Sequence, residues 1–137
     1  MRDASGLIMV MDAKAATGVG NYIQVEGYRH LTAFIDFAGT PALSVACVGS
    51  IGKGGTDGTQ DNAPDATAAQ SKTNSWDYIE MIDLQSGADI DGDTGIEATA
   101  NDHRIVNINT DGLKWINFKV LTRTAGNVTV QVKLFRD

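Results

Sequence analysis

Cysteine is almost missing from this 137-residue chain: Cys47 stands alone, so no internal disulfide can staple the fold. A chain this long buries enough apolar surface to hold one core without staples, and it makes one domain. Proline is scarce at two residues, and His30 and His103 are the only imidazoles. Cations are outnumbered, with eleven Lys and Arg against seventeen Asp and Glu, a formal charge of −6. That balance excludes a nucleic-acid partner, because a phosphate backbone must be met by clustered positive charge. No apolar run is long enough to cross a bilayer as a helix, so no membrane partner is expected. Met1-Arg2-Asp3 carries an acid and Leu7 to Met11 is short, which argues against a secretory signal. Helical periodicity is missing too. Ala13 to Ala16 and Ala66 to Gln70 offer a turn of helix at most.

What the chain has instead is period-two alternation. Ile23 and Val25 face away from Gln24 and Glu26; Leu31, Ala33, Ile35 and Phe37 face away from His30, Thr32 and Asp36. Leu43, Val45 and Cys47 repeat the pattern, as do Ile116, Phe118 and Val120 within Lys114 to Leu121. Val128, Val130, Val132 and Leu134 against Thr129, Gln131 and Lys133 form the clearest case. A slip of one residue would expose each apolar set, so register is strongly specified. Between these runs lie Gly18-Val19-Gly20, Ala38-Gly39-Thr40-Pro41, Asp111-Gly112 and Ala125-Gly126-Asn127, residues that supply the conformations tight turns need. The pattern predicts an all-β fold, an antiparallel sandwich of jelly-roll type with eight or nine strands. Residues 1–19 form an N-terminal arm or first strand, and residues 20–137 the sandwich.

Gly52 to Ser75 breaks the rhythm: twenty-four residues without a large apolar side chain. So long a loop reads either as a binding loop or as a solvated insertion. A second departure is Asp89-Ile-Asp91-Gly-Asp93-Thr-Gly95. Three alternate carboxylates can converge on a hard cation such as Ca²⁺, making Asp89, Asp91 and Asp93 the candidate ligands. An EF-hand loop needs Gly at its sixth position and Glu at its twelfth, where this segment has Thr94 and Ala100. Fourteen of the seventeen acids are Asp, a turn former in its own right. The segment therefore reads as an acidic hairpin loop, and no metal or other cofactor is expected.

Nothing in the sequence assembles an active site. Ser50 misses the G-x-S-x-G elbow because Val48 stands where glycine is required. Neither histidine has a ligand at metal spacing. Asp77, Glu80 and Asp83 fall within one predicted strand, where Glu80 points away from the other two. Gly52-Lys53-Gly54-Gly55 lacks the ending of a phosphate loop. Trp76 and Trp115 lie in apolar strands, which places them in the core or under the long loop; exposed, they would offer rings for stacking on sugars. The chain is expected not to be an enzyme.

Several segments carry a resemblance: Gly20-Asn-Tyr-Ile-Gln-Val-Glu26, Tyr28-Arg-His-Leu31, Ala63-Pro64-Asp65, Ala68-Ala-Gln-Ser71 through Asn74-Ser-Trp-Asp-Tyr-Ile79, Asp91-Gly-Asp-Thr-Gly95, Gly112-Leu-Lys-Trp-Ile-Asn117 and Ala125-Gly-Asn-Val-Thr-Val130. From Gly20 onward the chain resembles the small β-sandwich virion proteins of tailed bacteriophages, which decorate the capsid or sit on head or tail. The resemblance implies a capsid decoration (cement) protein, made in the host cytoplasm and carried on the capsid surface. It would bind the major capsid protein and stabilise the shell by bridging capsomers. A homo-oligomer is implied as well, a trimer by analogy with threefold lattice sites. The candidate interface residues are Leu7, Ile8, Met9 and Val10, whose strand can add to a neighbour's sheet edge, and Asn62, Asp65, Gln70 and Asn74 of the long loop. The alternative is a tail, fibre or baseplate module that binds host surface glycans.

Overall fold

A computed structural model describes residues 6–52 and 76–136. Among them are ten strands and no helix: β1 (Ile8–Lys14), β2 (Gly18–Val19), β3 (Ile23–Gln24), β4 (His30–Ser50), β5 (Trp76–Ile79), β6 (Met81–Asp83), β7 (Asp89–Ile90), β8 (Ile96–Ala98), β9 (Asp102–Asn109) and β10 (Trp115–Phe135). All pairings are antiparallel. The main path runs β1-β10-β4-β9-β6-β7, with β2 and β3 also on β10 and β5 and β8 also on β4.

The two 21-residue strands, β4 and β10, organise everything else. Each was expected as two strands with a turn between, at Ala38 to Pro41 and at Ala125 to Asn127. Both instead run on through the break, because each bends against the other. Three register shifts fall between Val120 and Asn127 of β10, and Thr40 takes a φ of 55° beside Gly39 at 73°. Bulges of this kind sharpen bend and twist without ending a ladder. The bend divides the sheet in two. On one side His30 to Ala38 of β4 pairs with Asn127 to Phe135 of β10, flanked by β9 and β1. On the other, Leu43 to Ser50 pairs with Trp115 to Thr122 and Arg123, flanked by β5, β8, β2 and β3.

Both halves send their inward side chains into a single apolar cluster. Leu31, Ile35, Phe37, Val106, Ile108, Val128, Val130 and Val132 enter from the first half, and Leu43, Val45, Cys47, Ile116, Phe118 and Val120 from the second. The result is an antiparallel β-sandwich, in which each strand's alternation marks the side facing the interior. Ten strands exceed the expected eight or nine although β4 and β10 each merge two expected strands, because β2 and β7 are two-residue ladders with no alternation to read. Glu80 marks a crossing: β5 pairs with the second half of β4, whereas β6 pairs with β9 in the first. Asp77 and Asp83, expected in one strand, consequently belong to different halves.

The second half is buried on both faces. Ala46, Val48 and Ser50 of β4 and Asn117 of β10 are as inaccessible as the core residues beside them, and Ser44 and Lys119 are buried too. Ser44 and Thr122 share a hydroxyl hydrogen bond of 2.8 Å. Between Met9 and Met11 a register shift in β1 turns Val10 and Met11 both inward. A second shift follows, where Ala13 adopts a φ of 47° and its N–H donates to the Thr129 hydroxyl at 3.0 Å.

Candidate functional site

The outer face of the first half-sheet is built from the positions that alternate with the core. Register sets Met9, Gln131, Phe34 and Ile105 in one line across β1, β10, β4 and β9. Leu84 extends the line, its N–H donating to the Ile105 carbonyl at 3.0 Å. Phe34, Ile105 and Leu84 are 37%, 45% and 53% exposed, an apolar stripe on a face that also carries Ile82 and the polar Thr32, Asp36, Asn107, Thr129 and Lys133. Exposed apolar side chains that adjoin across strands mark binding surfaces more often than scattered ones do. Both imidazoles lie on this face against phenylalanine rings. His30 stacks on Phe135 with centroids 4.9 Å apart and planes at 9°, and His103 tilts against Phe34 at 5.7 Å.

At one end the stripe meets a groove of about 440 Å³ lined by Leu84, Gln85, Asp102, His103, Arg104 and Ile105. Its polar side is a fixed network. The Arg104 guanidinium donates to the Gln85 side-chain oxygen, pairs with Asp102 at 3.2 Å and faces Asp83 at 3.8 Å. The carboxylates are held in turn: Asp83 accepts from the Gln85 N–H at 2.9 Å and Asp102 from the His103 N–H at 2.8 Å.

The four N-terminal candidates fall on the opposite end of the sheet path. Ile8 packs against the core and Val10 lies within it, Leu7 is half-buried just before the strand, and Met9 faces outward. β1 ends the strand order and pairs with no strand other than β10 among the described residues, while the Asn21 N–H donates to its Val10 carbonyl at 2.9 Å. Asn62, Asp65, Gln70 and Asn74 lie outside the described residues.

The acidic segment divides. Asp89 opens β7, while Asp91 and Asp93 sit in a turn closed by Thr94 and Gly95 N–H groups on the Asp91 carbonyl at 3.2 and 3.0 Å. Gly95 is required there: its φ is +69°, and a Cβ would stand 2.4 Å from the Val45 carbonyl oxygen. The structure brings Asp91 and Asp93 together with Asp77, not Asp89, around a depression of about 170 Å³. A hydrogen bond to the Asp91 side chain, then the charges of Asp91 and Asp77, raise the Asp93 pKa above its ordinary value. No set of three or more acidic, histidine or cysteine side chains among the described residues is placed to hold a metal ion.

The tryptophans belong to the second half. Trp76 is 1% exposed and stands outside the central cluster, across from Ser50; Trp115 is half-buried, with the Tyr22 ring edge-on at 5.3 Å. Each indole N–H is buried and has no hydrogen-bond partner among the described residues. Among the described residues the exposed Phe, Tyr and Trp rings are Tyr22 and Phe34; Phe34 is the one on the apolar stripe, and no sequence motif marks it.

No known family model matches the chain, and no curated protein matches its sequence. Two solved structures share its fold. The SPBc2 prophage-derived protein YomS superposes with a TM-score of 0.62 at 15% identity, covering 93% of this chain and 89% of YomS. The PBSX exported protein XepA superposes with a TM-score of 0.63 at 12% identity, again over 93% of this chain, which spans 36% of XepA. At these identities the likeness is one of fold, and in both cases the fold is carried by a phage-derived protein.

Proposed function

We propose that the chain is a bacteriophage virion protein, a capsid decoration protein that binds the outside of the head and stabilises the shell without catalysing a reaction. The observation that supports this reading most is the shared fold with the prophage-derived YomS, which extends over nearly the whole of both chains. The surface is suited to the task. β1 is the end strand of the sheet path, with Met9 beside it on the outer face, and an extended segment of a capsid subunit, or of a second copy of this chain, can add to its edge through main-chain hydrogen bonds beyond the one that Asn21 makes to Val10. Contacts of modest area, repeated over many copies, stiffen a shell, and closed symmetry among copies matches them to a lattice. The formal charge of −6 favours solubility at the high concentration that full occupancy demands.

Co-sedimentation of the purified protein with expanded heads tests this reading. Saturable binding at a fixed ratio to the major capsid protein is expected, weakened roughly tenfold or more by Met9→Lys at unchanged melting temperature. Failure to sediment with heads, or a copy number near that of a tail ring, overturns it.

A further inference from the structure

The groove beyond the apolar stripe serves no part of the capsid reading, and it lies at the far end of the sheet path from the β1 edge. We propose that it is a saccharide-binding subsite for a neutral hexose or N-acetylhexosamine unit of a surface glycan. Its floor is aliphatic, from Leu84 and Ile105, both about half exposed. The His103 imidazole, with the Phe34 ring tilted against it, supplies a planar wall. The groove's polar lining is Gln85, Arg104 and Asp102, which hold one another in place, with the buried Asp83 facing Arg104 from behind. A sugar ring is amphipathic in the same way, with C–H faces that pack on rings and aliphatic floors and a rim of hydroxyls that need aligned donors and acceptors.

Two physical arguments narrow the ligand. First, the polar rim is already ordered by its own hydrogen bonds, so little side-chain freedom is lost when hydroxyls meet it. Second, the Arg104 guanidinium is already paired with two carboxylates, a net negative charge, leaving no free cation for a phosphate, sulfate or sugar acid. The apolar floor suits the methyl group of an acetamido substituent, and the Gln85 amide suits its carbonyl. A flat protein partner fits less well, because it would strip water from the Arg104 network with no guarantee of matching it. The volume of about 440 Å³ lies in the range that small ligands occupy.

The test is a printed array of neutral hexose oligomers, N-acetylglucosamine and N-acetylgalactosamine oligomers, and sialylated and sulfated glycans, probed with the fluorescently labelled full chain. Binding to neutral or N-acetylated saccharides, competed by the free sugar, is expected. Leu84→Ser and Gln85→Ala, both at exposed positions, should each weaken it roughly tenfold or more while keeping the wild-type melting temperature. No bound saccharide, equal binding by both variants, or a preference for acidic glycans overturns the proposal. So does light scattering that shows a self-associated protein dispersed by Leu84→Ser without saccharide binding, which assigns the stripe to contact between copies. None of these outcomes bears on capsid co-sedimentation, so the two readings fail separately.

Discussion

Gly126 lies against Pro41 where the two long strands bend: a Cβ on Gly126 would stand 2.4 Å from the Pro41 Cα and 2.8 Å from the Ala38 carbonyl oxygen. Its φ is +80°, in the left-handed region that side chains resist. Its carbonyl accepts from the Arg123 side chain at 2.8 Å, so the position is fixed from both sides. The bend is therefore held by close approach of backbone to backbone, with the Arg123 side chain fastened to it.

Gly126→Ala should accordingly cost at least about 2 kcal/mol, from backbone strain and the clash with Pro41 together. For a chain of this size that is a fall in melting temperature of roughly 8 °C, read by calorimetry. Gly112→Ala makes the control. Gly112 has a φ of +88° but nothing within 4 Å of an added Cβ, so it should lose about half as much.

Asn117 fills a gap in the ladder. Its Nδ2 donates to the Gly20 carbonyl at 3.0 Å, and its Oδ1 accepts from the Phe118 N–H at 2.8 Å, both out of reach of water. Asn117→Ala leaves those two backbone groups buried without that partner and should cost about 1–3 kcal/mol. Asn117→Asp should cost more, since it removes the donor and buries a charge. Urea denaturation midpoints, compared at unchanged slope, check both.

The alternation of Val128, Val130 and Val132, all buried, shows how much of the fold is legible locally: period two names the inward face before any partner is known. Ala46, Val48, Asn117 and Lys119 show where this stops. They occupy the polar phase of their strands and are buried all the same, because what covers a strand's outer face is decided by other parts of the chain. Gly39 to Pro41 reads as a turn, and only the matching bend in β10 makes it a continuation. The groove is hidden for the same reason. Phe34, Leu84 and Ile105 adjoin by cross-strand register, and no spacing along the sequence records that.

Asp93 carries a pH signature whose sign can be worked out. Its pKa is raised in the folded chain by the hydrogen bond to Asp91 and by the charges of Asp91 and Asp77. Between the ordinary carboxylate value and the raised one, the folded state binds more protons than the unfolded state, so stability falls as pH rises through that window. Above it the ionised Asp93 disfavours folding. Asp93→Asn should raise the melting temperature at pH 7, with the gain shrinking as the pH falls through that window and gone below about 4. The side chain is fully exposed, so added salt should screen most of the effect. Melting curves at three pH values and two salt concentrations test the sign.

Cys47 reports on the core directly. It is wholly buried, paired in register with Phe118 of β10 on one side and Ile79 of β5 on the other, and burial pushes its thiol pKa well above the usual range. Since the thiolate is the reacting species, a disulfide-exchange reagent at pH 8 should leave the native chain unlabelled over minutes and take up one equivalent in denaturant. Fraying of β1 or β7 does not expose this position, so labelling must wait for the two long strands to separate. The rate then follows the population of the open state. Gly126→Ala, at about 2 kcal/mol, should therefore speed labelling roughly thirtyfold, while the exposed Leu84→Ser leaves the rate unchanged. Native labelling as fast as that of a free thiol would remove Cys47 from the interior, and with it the packing of β4 against β10.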